Sequence, residues 1–312
     1  MTMSNLFTDE IEQEAITRIQ KFARIAKAME FPIAVGFSGG KDSQVTLHLC
    51  QRAGIEFTAY FNHSLESPTT LKFIREHYPN VVWRRDVKEG LIQHLKEVRQ
   101  GYLPTVQSAY CCETYKHNPK YVDKCTILGI RRAESAKRAS RTVFTAKNKT
   151  TLKRIKADVS EYFREQCQSI GGGNLITLHP IVDWSDKEVW DYIHKYDLPI
   201  NPEYEYRSRV GCLICPKADF TRNYHNLMKY PKLIDAVIKA RQYPKTNWNI
   251  TRDNKDYSDN KIYYICRWLN HSFMPFTKKQ EALYKEVEEN YYKMKKLCTQ
   301  SASITGSSEG TI

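Results

Sequence analysis

The sequence predicts an α/β protein, a doubly wound parallel sheet followed by a helical C-terminal region. Three observations carry that reading. Short apolar runs such as Phe31-Pro32-Ile33-Ala34-Val35-Gly36 have the form of buried parallel strands. They alternate with stretches of helical periodicity, the pattern of repeated βαβ units. Between the first strand and its helix lies a glycine-rich turn, Phe37-Ser38-Gly39-Gly40-Lys41-Asp42-Ser43. In sheets of this kind the ligand sits beyond the carboxyl ends of the strands, where that turn lies.

Taken in order, Thr8 can cap a first helix running to about Met29. Ile11, Ala15, Ile19, Phe22, Ala23 and Ala26 recur on one face of it, which should pack on the sheet edge or the helical tail. After the turn, a short helix starts near Asp42. Ile55–Phe61 reads as the second strand and Pro68 opens a helix over Thr69–His77, with proline tolerated in the first turn. Val81-Val82-Trp83 is a third strand, and a helix follows near Val87–Arg99. Thr126–Ile130 and Leu175–Ile181 are further buried strands, with a small one at Thr142-Val143-Phe144 between them. Lys147–Ile170 is polar and basic and reads as helical in its second half, up to Gly171-Gly172-Gly173. Ser185-Asp186-Lys187-Glu188 is a capping box ahead of a helix through Trp190 and Ile193. His179, close to a strand end, suits a structural hydrogen bond.

Beyond Pro216 the chain reads as helical: near Leu233–Arg241, Ile262–Asn270 and Lys278–Cys298, the last with Leu283, Val287, Tyr291 and Met294 on one face. Asn249–Asn260 reads as a loop. The last dozen residues, rich in Ser, Gly and Thr, read as a disordered tail. The expected organisation is a packed helix over 1–30, a nucleotide-binding domain over 31–220, a helical region over 221–298 and a tail over 299–312.

The turn has the chemistry of an anion cradle. Its glycines let consecutive N–H groups surround an anion at the positive end of the following helix. Lys41 adds a mobile cation, and Ser38 and Ser43 add hydroxyl donors. Asp42 repels phosphate, so its presence calls for a magnesium ion or a side-chain clamp. The common nucleotide loop places its glycines five positions apart with a hydroxyl after the lysine. Here Gly36 and Gly40 are four apart and Asp42 follows Lys41. Gly129 would let a nucleotide approach the backbone, and Arg131, at a strand's carboxyl end, is placed for phosphate.

Composition narrows the class. Apolar residues make up 41% and the mean hydropathy is −0.60, with no run long enough to span a bilayer and no signal peptide in the charged first thirty residues. A cytoplasmic protein is expected, without membrane partners. Nine cysteines suit a reducing compartment where several serve as metal ligands or buried thiols. Net charge is +13, and Arg131–Lys156 holds ten basic residues against one acid, Glu134. That stretch reads equally as a solvated loop or as a nucleic-acid or phosphate contact.

Cys212-Leu213-Ile214-Cys215-Pro216 is a metal-ligand half-site. With the adjacent pair Cys111 and Cys112, brought near in space, it fits a [4Fe–4S] cradle, with zinc as the alternative. Cys50, Cys125 and Cys167 fall in apolar or helical surroundings and read as structural.

Ser-Gly-Gly-Lys-Asp-Ser resembles the signature of the PP-loop ATP pyrophosphatases, whose fold is the adenine nucleotide alpha-hydrolase type. Together with Leu128–Ser135, His179–Ser185 and Asn201–Pro216, it resembles the phosphoadenosine phosphosulfate (PAPS) reductase family over roughly residues 30 to 220. The resemblance implies that Ser38, Gly39, Gly40, Lys41, Asp42, Ser43, Gly129 and Arg131 hold ATP or adenosine phosphosulfate. Lys41 would stabilise charge on pyrophosphate and Asp42 would position Mg²⁺. Arg132, Ser135, Arg138 and Arg209 would contact substrate or phosphate, and Cys111, Cys112, Cys212 and Cys215 would carry the cluster. Assimilatory reductases place their nucleophile in a C-terminal Glu-Cys-Gly-Leu-His. The later cysteines here, Cys266 in Ile-Cys-Arg-Trp and Cys298 in Leu-Cys-Thr-Gln, do not match it. The reading is therefore similar to the DNA phosphorothioation enzymes: ATP cleaved to AMP and pyrophosphate so that sulfur replaces an oxygen on nucleic acid. A sulfur-donor protein such as a cysteine desulfurase would be its partner. The alternatives are a phosphosulfate reductase using Cys298 and a non-catalytic nucleotide- or nucleic-acid-binding subunit.

Overall fold

The computed structural model describes residues 3–84, 90–117, 123–148, 151, 167–169, 175–241, 248–250, 255–271 and 273–305. Along the chain the elements are α1 (Met3–Ala28), β1 (Ile33–Phe37), α2 (Lys41–Arg52), β2 (Thr58–Asn62), α3 (Pro68–His77), β3 (Val82–Arg84), α4 (Leu91–Glu97) and β4 (Cys125–Ile127). They continue with β5 (Phe144–Ala146), β6 (Cys167–Ser169), β7 (Ile176–Leu178), α5 (Asp186–Lys195), α6 (Phe220–Lys229) and α7 (Lys232–Arg241). A short β8–β9 hairpin (Asn249–Ile250, Lys255–Asp256) precedes α8 (Lys261–Leu269) and α9 (Lys278–Thr305).

The chain divides into two compact units. The first combines Met1–Asp86 with Glu113–Gly211, the second Val87–Cys112 with Cys212–Ile312. Neither is continuous in sequence, so the linear division at residue 220 does not follow the contacts.

The first unit holds a seven-stranded sheet in the order β3-β2-β1-β4-β7-β5-β6. The pairs from β3 to β7 are parallel, whereas β5 runs antiparallel to β7. Strand β1 is central and almost wholly buried, as its apolar run requires. The chain leaves β1 toward β2 on one side and returns to β4 on the other. The crevice at the carboxyl ends of β1 and β4 is therefore a topological switch point. Helix α1 packs on α2 and β7, burying Ala15, Ile19, Phe22 and Ala26. It starts at Met3, so Thr8 lies within it and is not its cap. Ser67 caps α3 by accepting the Thr70 N–H, with Pro68 in the first turn, and Ser185 and Glu188 close the capping box of α5.

Three local expectations are corrected. Residues 167–169 form β6, paired with β5, and not helix; 152–166 and Gly171-Gly172-Gly173 lie outside the described residues, as does the side chain of Cys167. The stretch read as a loop over Asn249–Asn260 contains β8 and β9, closed by the Tyr257 N–H on the Trp248 carbonyl. Helix α9 runs on to Thr305, with the Thr299 hydroxyl donating to the Lys295 carbonyl, so 299–305 are helical and only 306–312 lie outside the described residues. Polar composition misled here because Ser and Thr can satisfy their hydroxyls on the preceding turn of a helix.

In the second unit α4 packs on α7, and α9 packs on α6 and α8. Trp268 Nε1 donates to the Pro104 carbonyl at 2.6 Å and the Arg241 guanidinium to the Gly101 carbonyl at 2.8 Å. Those bonds tie 87–112 to the C-terminal helices. Tyr284, Val287 and Tyr291 form the buried face of α9. Among the described residues no helix is long and apolar enough to cross a membrane.

Candidate active site

The glycine-rich turn leaves β1 and enters α2 with Gly40 at the cap position and no side-chain cap. Gly39 has φ +73°, a conformation that favours glycine, and a side chain there would press on Ile74 of α3. The two serines shape the turn. Ser43 Oγ donates to the Gly40 carbonyl at 2.7 Å and accepts the Ser38 N–H at 3.1 Å, while the Ser38 and Ser43 hydroxyls lie 3.1 Å apart. A hydroxyl has one proton to give, so Ser43 spends its own inside the loop.

The segment that follows α5 buttresses the turn from behind. Asn201, fully buried, donates Nδ2 to the Gly39 carbonyl at 2.9 Å. Tyr204 Oη accepts the Lys41 N–H at 2.8 Å, and burial pushes its phenol pKa up, so it stays protonated. Glu203 and Arg207, both buried, form an ion pair, and Ser67 and Tyr206 donate to the same carboxylate. The sequence marked Asn201–Pro216 only as part of the family resemblance, with no role for Asn201 or Tyr204; they lie some 160 positions from the turn they hold.

Above the turn four charges close on one another. Lys41 Nζ lies 3.2 Å from Asp42 and 2.7 Å from Asp186. Arg131 Nε donates to Asp42 at 2.5 Å, one terminal nitrogen to Asp186 at 2.8 Å and the other to the Trp184 carbonyl at 3.2 Å. The side-chain clamp expected for Asp42 is thus Arg131 together with Lys41. Burial works against the charge of Asp186, but Lys41 and Arg131 hold its carboxyl below the ordinary range. Burial likewise opposes the charge of Arg131, and Asp42 and Asp186 outweigh it. The sequence marked Asp186 only as part of a helix cap. An acid in the first turn of a helix just past a strand's carboxyl end was the available signal.

These groups line a cavity of about 640 Å³, with Gly36, Ser38, Gly40, Lys41, Asp42 and Ser43 on one wall and Leu128–Arg131 on another. Gly129 lines it, but its missing Cβ serves mainly α2: a Cβ would stand 2.5 Å from the Asp42 carbonyl oxygen. Arg138 and Arg209 also line it, both paired with Glu134, the latter at 3.1 Å. Arg132 pairs instead with Asp183, and neither Arg132 nor Ser135 is among the lining residues. The far wall, unforeseen from sequence, carries Tyr60, Asn62, Glu66 and Lys116; Asn62 Nδ2 donates to the Lys116 carbonyl at 3.0 Å and Lys116 pairs with Glu66 at 3.4 Å.

A family model for the phosphoadenosine phosphosulfate reductase domain matches residues 32–218, a span that includes the loop, β1 to β7 and the residues lining the cavity. The chain belongs to that family. It is 30% identical over 240 residues to an uncharacterized protein of Methanocaldococcus jannaschii, covering 72% of this chain and 44% of that protein. It is 25% identical over 203 residues to sulfate adenylyltransferase subunit 2 of Rhizobium tropici, covering 62% of this chain and 66% of that one. Among solved structures, the PAPS reductase of Candida auris aligns at 16% identity and a TM-score of 0.37, over 68% of this chain and 97% of that one. The chain spans about half the length of the first curated relatives it matches, 52% and 44%.

The cysteines predicted to bind metal, Cys111, Cys112, Cys212 and Cys215, all fall in the second unit and are partly exposed. The Cys111 thiol is pushed up by its hydrogen bond to Cys112, by burial and by the charges of Cys112, Cys212 and Cys215. Burial and then Cys212 push Cys215 up, against the Lys217 amide and Arg222. The four are thus electrostatic neighbours. Two buried asparagines hold the Cys-x-x-Cys loop: Asn223 Nδ2 donates to the Cys215 carbonyl while its Oδ1 accepts the Cys215 N–H, and Asn226 Nδ2 donates to the Leu213 carbonyl. Among the described residues, however, no group of three or more His, Cys, Asp or Glu side chains is drawn together to hold a metal ion. The donors suit iron or zinc in kind without forming a closed cage. Cys50 and Cys266 are fully buried, their thiols pushed up by burial, and Cys125 is buried with its pKa raised to about 12. Cys298 is exposed on α9.

Proposed function

We propose that this chain is a PP-loop enzyme that binds ATP with its phosphates on residues 38–43 and releases AMP and pyrophosphate, activating an oxygen of a nucleic acid for replacement by sulfur. The observation that carries the reading is the placement of the Ser38–Ser43 turn and Lys41 on one wall of a large crevice at the sheet's switch point. An acceptor oxygen attacks the α-phosphorus, the bond to the bridging oxygen breaks, and pyrophosphate leaves. The terminal sulfur of a donor persulfide then displaces AMP, and a second thiol cleaves the S–S bond so formed, leaving the sulfur on the acceptor and a disulfide on the donor side. Lys41 and the loop amides offset the charge building on pyrophosphate. Asp42 is proposed to position Mg²⁺, which would neutralise phosphate charge. Arg138 and Arg209, which line the cavity and pair with Glu134, are proposed as phosphate contacts.

The four cysteines are proposed as the ligands of a [4Fe–4S] cluster, or of zinc. A metal bound among these thiols would displace their protons to water, and its charge would offset the mutual repulsion of the thiolates. Iron and acid-labile sulfide on anaerobically purified protein test this; zinc alone, or no metal, ends the cluster proposal and leaves the nucleotide site untouched.

A second reading, favoured by the family match and by the exposure of Cys298, is a phosphosulfate reductase that attacks the sulfate sulfur with that thiolate. Products decide. AMP and pyrophosphate from ATP, abolished in Lys41→Ala with ATP affinity reduced about 10- to 100-fold, support the first reading. Sulfite from a phosphosulfate donor, lost in Cys298→Ser, supports the second, and nucleotide binding without turnover would mark a binding subunit.

A further inference from the structure

The four charges above the turn are unequal in what they can surrender. Arg131 is committed on three sides, to Asp42, Asp186 and the Trp184 carbonyl. Lys41 is buried, its side chain 6% exposed, and carries two carboxylates. A buried ammonium cannot lose a counter-charge cheaply unless another replaces it. Both of its partners also accept from Arg131, but the side chain of Asp42 is 21% exposed and that of Asp186 66%. Asp186 can therefore turn into water without burying its charge, and Asp42 cannot do so as readily. The closer of the two partners is the one easier to displace: Asp186 lies 2.7 Å from Nζ and Asp42 3.2 Å.

Resting on the nucleotide-site reading above, we propose that Asp186 is the exchangeable counter-charge of Lys41: it holds the ammonium beside the loop, and a bound phosphate takes its place. Asp186 is then a positioning residue that sets nucleotide affinity by competition. It keeps Lys41 aimed at the loop, and each incoming phosphate must work against its charge. Arg131 and Asp42 stay in place through the exchange, because Arg131 keeps its bonds to Asp42 and to Trp184.

Titration calorimetry with ATP in EDTA, on the full chain, tests the competition directly. Asp186→Asn keeps the size and the helix position and removes the charge. It should bind metal-free ATP about tenfold more tightly than wild type. Asp186→Glu should stay near wild type, and Lys41→Ala in the Asp186→Asn background should erase the gain. A structural defect weakens binding, so tighter binding is not an outcome that misfolding can imitate. Wild type that binds ATP while Asp186→Asn binds it equally or more weakly overturns the exchange alone. A weakening seen only with Mg²⁺ present, without tightening in EDTA, also overturns it and makes Asp186 a metal-side carboxylate. Wild type that binds no adenine nucleotide brings down the nucleotide-site reading, and this inference with it.

Discussion

Single side chains in this protein are tuned by burial as much as by partners, and His179 shows how. It sits just past β7, 2% exposed, with Nδ1 donating to the Thr142 carbonyl at 2.9 Å. Burial, with help from Arg141 and Arg138, lowers its pKa to about 4, against the opposing bond to Thr142. The unfolded chain returns it to its ordinary value of 6.5. Above that value the ring is neutral in both states and has no effect on stability. Below it the unfolded state takes up the proton first, so stability falls as the pH drops toward 4 and the loss levels off beneath that. The largest loss from this group is about 3 kcal/mol. Urea midpoints at pH 7.5 and pH 5 should therefore differ more in wild type than in His179→Gln; equal differences would mean that the ring is protonated in the fold.

At the scale of elements, the turn works because α2 starts hard against the end of β4. Gly129 makes that approach possible, since a Cβ there would stand 2.5 Å from the Asp42 carbonyl oxygen and 2.7 Å from the Thr46 hydroxyl. Gly129→Ala must push the first turn of α2 away. The expected cost is about 1–3 kcal/mol in a urea titration, together with weaker ATP binding by calorimetry. Loss of stability with unchanged affinity would show that the turn does not need its seat on β4. Much of this arrangement is readable in the chain. The run before Ser38 is apolar on both faces and the capping box at Ser185 is local, so β1, α2 and α5 follow from neighbouring residues. The signature turn itself marks the crevice. What could not be read is what crosses the sequence. Asp186, Asn201 and Tyr204 meet the turn only because the strand order brings the ends of β7 and β1 to one crevice. Gly129 was readable as a close approach, but not that its neighbour is a helix. Likewise the cysteine spacing marked a ligand set, while the asparagines that hold its loop carry no signal of their own.

For the molecule as a whole, the net charge of +13 overstates what is available to a polyanion. Of the ten basic residues between Arg131 and Lys156, Arg131, Arg132 and Arg138 are paired with Asp42 and Asp186, with Asp183 and with Glu134. Each phosphate neutralised contributes about −0.9 to the slope of log affinity against log salt, so even with all ten engaged this stretch can supply a slope no steeper than about −9, and each cation that keeps its carboxylate makes it shallower by about one. A labelled DNA duplex, followed by fluorescence anisotropy between about 50 and 200 mM salt, gives that slope directly. Lys147 is exposed at the end of β5 and is part of the stretch. If the stretch is the nucleic-acid contact, Lys147→Ala should make the slope shallower by up to about one without altering ATP affinity. An unchanged slope in that variant would move the contact to another face. No duplex binding at low salt would remove nucleic acid as the acceptor while leaving the proposed nucleotide site of the first unit in place.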